Sequence, residues 1–133
     1  MTPTTIFESI GGRPTVDALV HSFYAVMDEA PEATAVRATH GSDLKESASK
    51  LADFLTGWSG GPPAYVEKYG HPRLRARHMP FKIGRQERDE WLWCMEHALN
   101  DPAVRALGMD DDHAFKLLSA FERIATHMQN QPG

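Results

Sequence analysis

An all-α fold is what this chain predicts, and three observations carry it. Wherever its apolar residues show a period, the steps are of three and four residues. No stretch reads convincingly as a strand. Helix-start signals (Pro14, Asp43 and the cluster Asp110-Asp111-Asp112) stand at the head of the long periodic runs. The elements follow in order. A short segment over residues 4–10 turns Ile6, Phe7 and Ile10 inward and ends at Gly11-Gly12. The next helix, over 14–28, has Pro14 in its first turn and Val16, Leu19, Val20, Phe23, Tyr24 and Met27 on one face. Residues 29–42 read as irregular, interrupted by Pro31, Thr39, Gly41 and Ser42. Asp43 then caps a helix with Leu44, Ala48, Leu51, Phe54 and Leu55 inward and Lys45, Glu46, Lys50 and Asp53 outward.

That helix stops within residues 57–60, and Gly61-Pro62-Pro63 makes a strong turn. From 57 to 86 the sequence offers little regular structure beyond a short helical segment that breaks before Pro80. A helix over 86–99 opens with acidic residues, as the helix dipole favours. The last helix starts at the Asp110–Asp112 cluster and repeats Phe115, Leu118, Phe121, Ile124, Ala125 and Met128. The simplest packing sets the 14–28 and 43–55 helices as one pair and the 86–99 and 111–128 helices as another, with a slot between them.

A chain of 133 residues, 41% hydrophobic and 24% charged, is read as one domain, residues 1–133, of ordinary soluble composition. Its net charge of −4 gives a nucleic-acid partner no electrostatic support. A lone cysteine, Cys94, cannot form an internal disulfide and reads as a buried, inert thiol, which fits a reducing compartment. No apolar run approaches a membrane span and the first residues lack a signal-peptide pattern, so a cytoplasmic location is expected, with no membrane contact. No His-x-x-x-His pair, Gly-x-Ser-x-Gly motif, phosphate loop, or flavin or nicotinamide motif is present.

The run Gly70-His71-Pro72-Arg73-Leu74-Arg75-Ala76-Arg77-His78-Met79-Pro80-Phe81 is the most informative part of the chain. It holds His78 between arginines and an apolar Met-Pro-Phe step, and the next helix, polar at its start, turns aromatic at Trp91-Leu92-Trp93 soon after. An axial haem ligand needs this company: an imidazole for iron, arginines for propionates, and apolar side chains such as Phe81 to cover the porphyrin. His71, in a loop beside Pro72, is the rival. Tyr24 brings a phenol inward, and Trp91 an indole N–H; each is either a core group or a donor to a diatomic ligand. Trp93 should point elsewhere. Leu51 and Phe54 are core or cofactor-facing, and Arg77 and Tyr65 bond carboxylates or lie on the surface. Glu87-Arg88-Asp89-Glu90 reads as a charged helix start with local pairing.

The segments GHPRLRARHMPF and ERDEWLWCM, with SFY in the second helix and GGPPAY after the third, closely resemble the group II truncated haemoglobins over residues 6–128. The resemblance implies a globin-like two-over-two helical sandwich around haem b. It implies His78 as proximal ligand, Tyr24 and Trp91 as distal donors, Leu51 and Phe54 lining the pocket, and Arg77 and Tyr65 at the propionates. Where many members place Tyr or Phe over the haem, this chain has His40, with Thr39 as rival. His40 would donate, accept, titrate or ligate iron, or lie in solvent as a loop residue. Ser47 stands where globins often have a distal His or Gln.

The function expected from this is binding of dioxygen and other diatomic ligands at a His-ligated iron, for redox or nitric-oxide chemistry rather than bulk oxygen transport. The alternatives are a nitric-oxide dioxygenase or weak peroxidase served by an external reductase, and a haem-free helical interaction domain.

Overall fold

The computed structural model describes residues 4–132. Among them no strand forms, and the all-α reading holds. Helix α1 spans Ile6–Ser9, α2 Arg13–Glu29, α3 Thr34–Ala38, α4 Lys45–Trp58, α5 Ala64–Tyr69, α6 Leu74–His78, α7 Arg85–Leu99, α8 Pro102–Arg105 and α9 Asp111–Met128. A single 3₁₀ turn over Pro31–Ala33 leads into α3. Helix α2 packs on both α4 and α7, α9 packs on α7, and α3 lies against α7. The expected pairs therefore meet through the α2–α7 contact. The core is built from Val16, Leu19, Val20, Phe23 and Met27 of the expected α2 stripe, together with Leu55 from α4, Met95 and Leu99 from α7, and Leu117 and Phe121 from α9.

Several expectations are corrected. The stretch 57–86 contains two short helices, α5 and α6, and 29–42 contains the 3₁₀ turn and α3. Helix α4 starts at Lys45, and Asp43 accepts the Lys45 N–H at 2.9 Å from just outside it. Ile6 is exposed, and Ile10 carries the burial of the first segment. Phe115 is 72% exposed because the inward stripe of α9 runs through Ala114, Leu117, Phe121, Ala125 and Met128, one position away. The apolar period of the sequence runs through the large Phe115 side chain, whereas the small Ala114 marks the buried face.

Asp53 is the largest departure. Read as outward, it is 1% exposed. Lys68 Nζ lies 2.9 Å from one carboxylate oxygen and Arg13 Nη1 3.1 Å from the other, so α4 is tied to both α5 and α2. Burial alone would push this carboxyl up, but the bonds from Lys68 and Arg13 outweigh it and hold it below its ordinary value.

Gly11 and Gly108 bring two backbone turns together. Both have left-handed φ, 106° and 139°. A Cβ on Gly11 would run into the Leu107 carbonyl and Thr15 Oγ1, and one on Gly108 into the Ile10 carbonyl.

Candidate functional site

Helix α6 is one turn long and ends in the His78 side chain. It starts after Arg73, whose φ of 45° is the positive value found outside glycine among the described residues. Such a conformation persists where neighbours over-determine it. Here the Arg73 N–H bonds His71 Nδ1 at 3.0 Å, while its carbonyl accepts the Arg77 N–H at 3.0 Å.

The two rival histidines are thereby set as opposite tautomers. His71 Nδ1 accepts, so it holds a lone pair, and the ring is exposed. His78 Nδ1 lies 2.6 Å from the Leu74 carbonyl, which only accepts, so this nitrogen carries the hydrogen and Nε2 keeps the lone pair. A bond from the ring's other nitrogen to a backbone carbonyl is the one a metal-ligating imidazole ordinarily makes. His78 is half-buried.

The segment after His78 is stitched to the chain's end. Asn130 donates from Nδ2 to the Phe81 carbonyl at 2.8 Å and to the His78 carbonyl at 3.3 Å, and its Oδ1 accepts the Ile83 N–H at 3.0 Å. Arg75 adds a bond to the Gln129 carbonyl at 3.2 Å.

Tyr24, half-buried on α2, stands edge to face with Phe23 (4.9 Å between centroids) and with His40 (5.9 Å). Phe23 in turn contacts Trp91 at 5.1 Å, and Trp91 contacts Phe121 at 5.9 Å. Tyr24, His40 and Trp91 thus belong to one aromatic cluster, with Phe23 between Tyr24 and Trp91. Burial raises the Tyr24 phenol far above its usual range, so it stays a hydrogen-bond donor. His40 is half-buried, not a free loop residue, and its rival Thr39 bonds the Val36 carbonyl at 2.6 Å. Burial lowers its pKa, the Val36 carbonyl opposes this, and the nearby Arg37 and His78 lower it further. The neutral form of the His40 ring is therefore favoured.

The remaining candidates divide by place. Phe54 meets Tyr65 edge to face at 6.3 Å, and the Arg77 guanidinium lies 5.6 Å from the Tyr65 ring centre. Tyr65 is buried, not on the surface. Leu51 and Phe54 are half-buried against the core, and Ser47 is half-buried on α4. Phe81 is 46% exposed, on an open depression of about 390 Å³ shared with Pro80, Lys82, Thr39 and Glu87. Trp93 points elsewhere, as expected: its ring lies 3.9 Å from that of His97, on the outer face between α7 and α9.

Glu90 makes contacts that the sequence does not reveal. Of the charged run, Arg88 pairs locally with Asp89, but Glu87 Oε1 accepts the Gly84 N–H at 2.8 Å and Glu90 reaches α3. No local signal marks that reach, because its partners lie 54 and 55 residues back.

Residues 5–130 match the family model of the bacterial-like globins. A group 2 truncated hemoglobin of Bacillus subtilis is 38% identical over 125 residues, covering 94% of this chain and 88% of its own. Among solved structures, the group II 2-on-2 hemoglobin of the plant pathogen Agrobacterium tumefaciens superposes with a TM-score of 0.90 at 46% identity, covering 98% of each chain. A truncated oxygen-avid haemoglobin from Bacillus subtilis gives 0.81 at 37% identity, covering 96% of this chain and 100% of its own. This chain belongs to the group II truncated haemoglobins.

As a truncated haemoglobin it has the two-on-two helical fold, and its family implies a haem cofactor that binds dioxygen and other diatomic ligands. The residues present fit that group. Among the described residues no three His, Cys, Asp or Glu side chains gather to hold a bare ion. A lone imidazole with a free Nε2 suits an iron that brings four ligands of its own. Of the eight exposed large hydrophobic side chains among the described residues, four (Val66, Tyr69, Met79 and Phe81) lie within residues 66–81 on the chain around His78, apolar surface that a flat cofactor could cover. No helix among the described residues is long and apolar enough to cross a membrane.

Proposed function

We propose that this truncated haemoglobin holds haem b through His78 and keeps a diatomic ligand under Tyr24 and Trp91, for redox or nitric-oxide chemistry rather than bulk oxygen transport. The observation that carries the reading is the 2.6 Å bond from His78 Nδ1 to the Leu74 carbonyl, which leaves Nε2 as a fixed, unprotonated ligand. Haem supplies an iron that binds the diatomic molecule and changes oxidation state. The chain supplies the rest. Leu51, Phe54 and Phe81 would give the haem apolar cover, and Arg77, beside the Tyr65 ring, would offer a cation to a propionate. The Tyr24 phenol and Trp91 indole donate toward negative charge on the ligand. A hydrogen bond of that kind is worth about 1.5–3 kcal/mol. Two such donors slow release of dioxygen, which suits retention and chemistry better than delivery. The oxygen-avid relative from Bacillus subtilis fits this reading.

The enzyme reading is a nitric-oxide dioxygenase or weak peroxidase. With no flavin or nicotinamide motif in the chain, electrons then come from an external reductase. We further place the protein in the cytoplasm, as one globin domain over residues 1–133, since its buried free Cys94 suits a reducing compartment.

The deciding experiment is the visible spectrum of the purified protein, ferric and reduced, beside His78→Ala and His71→Ala. The reading requires an intense Soret band that His78→Ala perturbs or removes and His71→Ala leaves in place. Absence of a Soret band after reconstitution with haemin leaves the haem-free interaction domain. Sustained turnover of nitric oxide with a reductase and NADH establishes the enzyme; a stable dioxygen complex without turnover establishes the binder.

A further inference from the structure

The helix that carries Trp91 also grips the segment that carries His40. Glu90, the residue before Trp91, accepts the Ala35 N–H at 2.8 Å and the Val36 N–H at 3.1 Å with one carboxylate oxygen. These N–H groups belong to the first turn of α3, where no backbone carbonyl of the helix can satisfy them. Glu90 therefore sets Val36 in space relative to α7.

The carbonyl of the same Val36 governs the His40 ring. Thr39 Oγ1 donates to it at 2.6 Å, and His40 Nδ1 lies 3.0 Å from it. A carbonyl oxygen cannot donate, so His40 Nδ1 must carry the hydrogen. Thr39 Oγ1, whose hydrogen is directed at the Val36 carbonyl, faces Nδ1 at 3.1 Å as a second acceptor. With the hydrogen on Nδ1, the neutral ring keeps its lone pair on Nε2. A second grip acts from behind: Arg37 bonds Asp28 of α2 at 3.0 Å and the Gly41 carbonyl at 2.9 Å, so the loop on either side of His40 is held to α2 as well as to α7.

We propose that Glu90 is a positioning residue for His40: through Val36 it selects the Nδ1-protonated ring and makes His40 an acceptor, not a donor, toward the ligand space beside Tyr24. The consequence at the ligand rests on the haem reading above; the tautomer does not, since every bond in the relay joins protein atoms. The division of labour is then fixed. Tyr24 and Trp91 donate, and His40 can take a hydrogen bond or ligate a metal but cannot hold a negatively charged oxygen atom by donation while neutral.

The test reads the ring nitrogens of His40 by NMR in the ¹⁵N-labelled ferrous carbon monoxide form of the full chain. The wild type should show one tautomer, with hydrogen on Nδ1. Glu90→Gln keeps an acceptor oxygen and should preserve it, whereas Glu90→Leu removes the acceptor and should lower the Nδ1–H to Nε2–H ratio by roughly tenfold or more. The C–O stretch of the same complex gives a second readout: Glu90→Leu should shift or split it, and should add nothing to His40→Phe. Hydrogen on Nε2 in the wild type overturns the proposal, as does an unchanged tautomer in folded Glu90→Leu. An equal Glu90→Leu effect on the C–O stretch with and without His40 also overturns it. If Glu90→Leu does not fold, Glu90→Asp, which withdraws the carboxylate by one methylene, is read in the same way. A chain that takes up no haem fails the earlier reading alone, because the His40 tautomer is still measured in the haem-free protein.

Discussion

Lys68 Nζ lies 2.9 Å from the Asp53 carboxylate across the turn between α4 and α5, and Asp53 is closed to solvent while Lys68 is not. The pair staples the turn that precedes the His78 segment. Because both cations that hold Asp53 are partly exposed and can rehydrate, Asp53→Asn should cost about 1–3 kcal/mol, less than a fully buried pair. The pH dependence has a definite sign. The folded carboxyl titrates below its ordinary value, so its contribution is complete above the usual aspartate range and is lost as pH falls through the folded value. Thermal melts should show Asp53→Asn below wild type at pH 7 and the gap closing in acid; a constant gap refutes the assignment.

Gly11 faces a backbone wall. Ala at this position combines a left-handed φ with a collision against the Leu107 carbonyl and Thr15, so Gly11→Ala should lose on the order of 2–3 kcal/mol. Urea unfolding measures it. Gly41, whose Cβ would meet nothing, is the control and should tolerate Ala with little change.

Removing one donor should speed dioxygen release by roughly ten- to a hundredfold, in Tyr24→Phe and in Trp91→Phe separately. His40→Phe should not speed it comparably, since a neutral His40 with hydrogen on Nδ1 has none left to give. Stopped-flow off-rates on the three variants separate these outcomes.

Burial pushes the Cys94 thiol up to about 11, and the Glu90 carboxylate one turn earlier adds to it. The native protein should then react with iodoacetamide at pH 8 at least about a hundredfold more slowly than the unfolded chain. Comparable rates would place Cys94 in a mobile or open environment.

The long helices were legible because each carries its own signal. Val16 to Met27 on α2 lie on one face at helical spacing, and the closed core uses that face. Errors arose where the deciding partner is distant in sequence. Asp53 looked like one more outward charge until Arg13, 40 residues earlier, and Lys68 were brought beside it. Glu90 read as part of a locally paired run because nothing within a helical turn identifies Ala35 and Val36 as its partners. Helices α3, α5 and α6 are too short to establish a period, and their boundaries come from tertiary contacts. At the site, the residue types were readable and the tautomers were not. Which nitrogen of His71, His40 or His78 carries hydrogen depends on a backbone group two or four residues away, whose direction only the fold determines.

Asn130 lies beyond the last helix, yet its bonds run to His78, Phe81 and Ile83. A chain cut after Met128 would keep every helix and lose the clasp on the loop that follows His78. Fraying of these few residues, rather than unfolding of the globule, would then set how long a cofactor stays bound. Cofactor residence time and global stability would become separately tunable properties of one small protein.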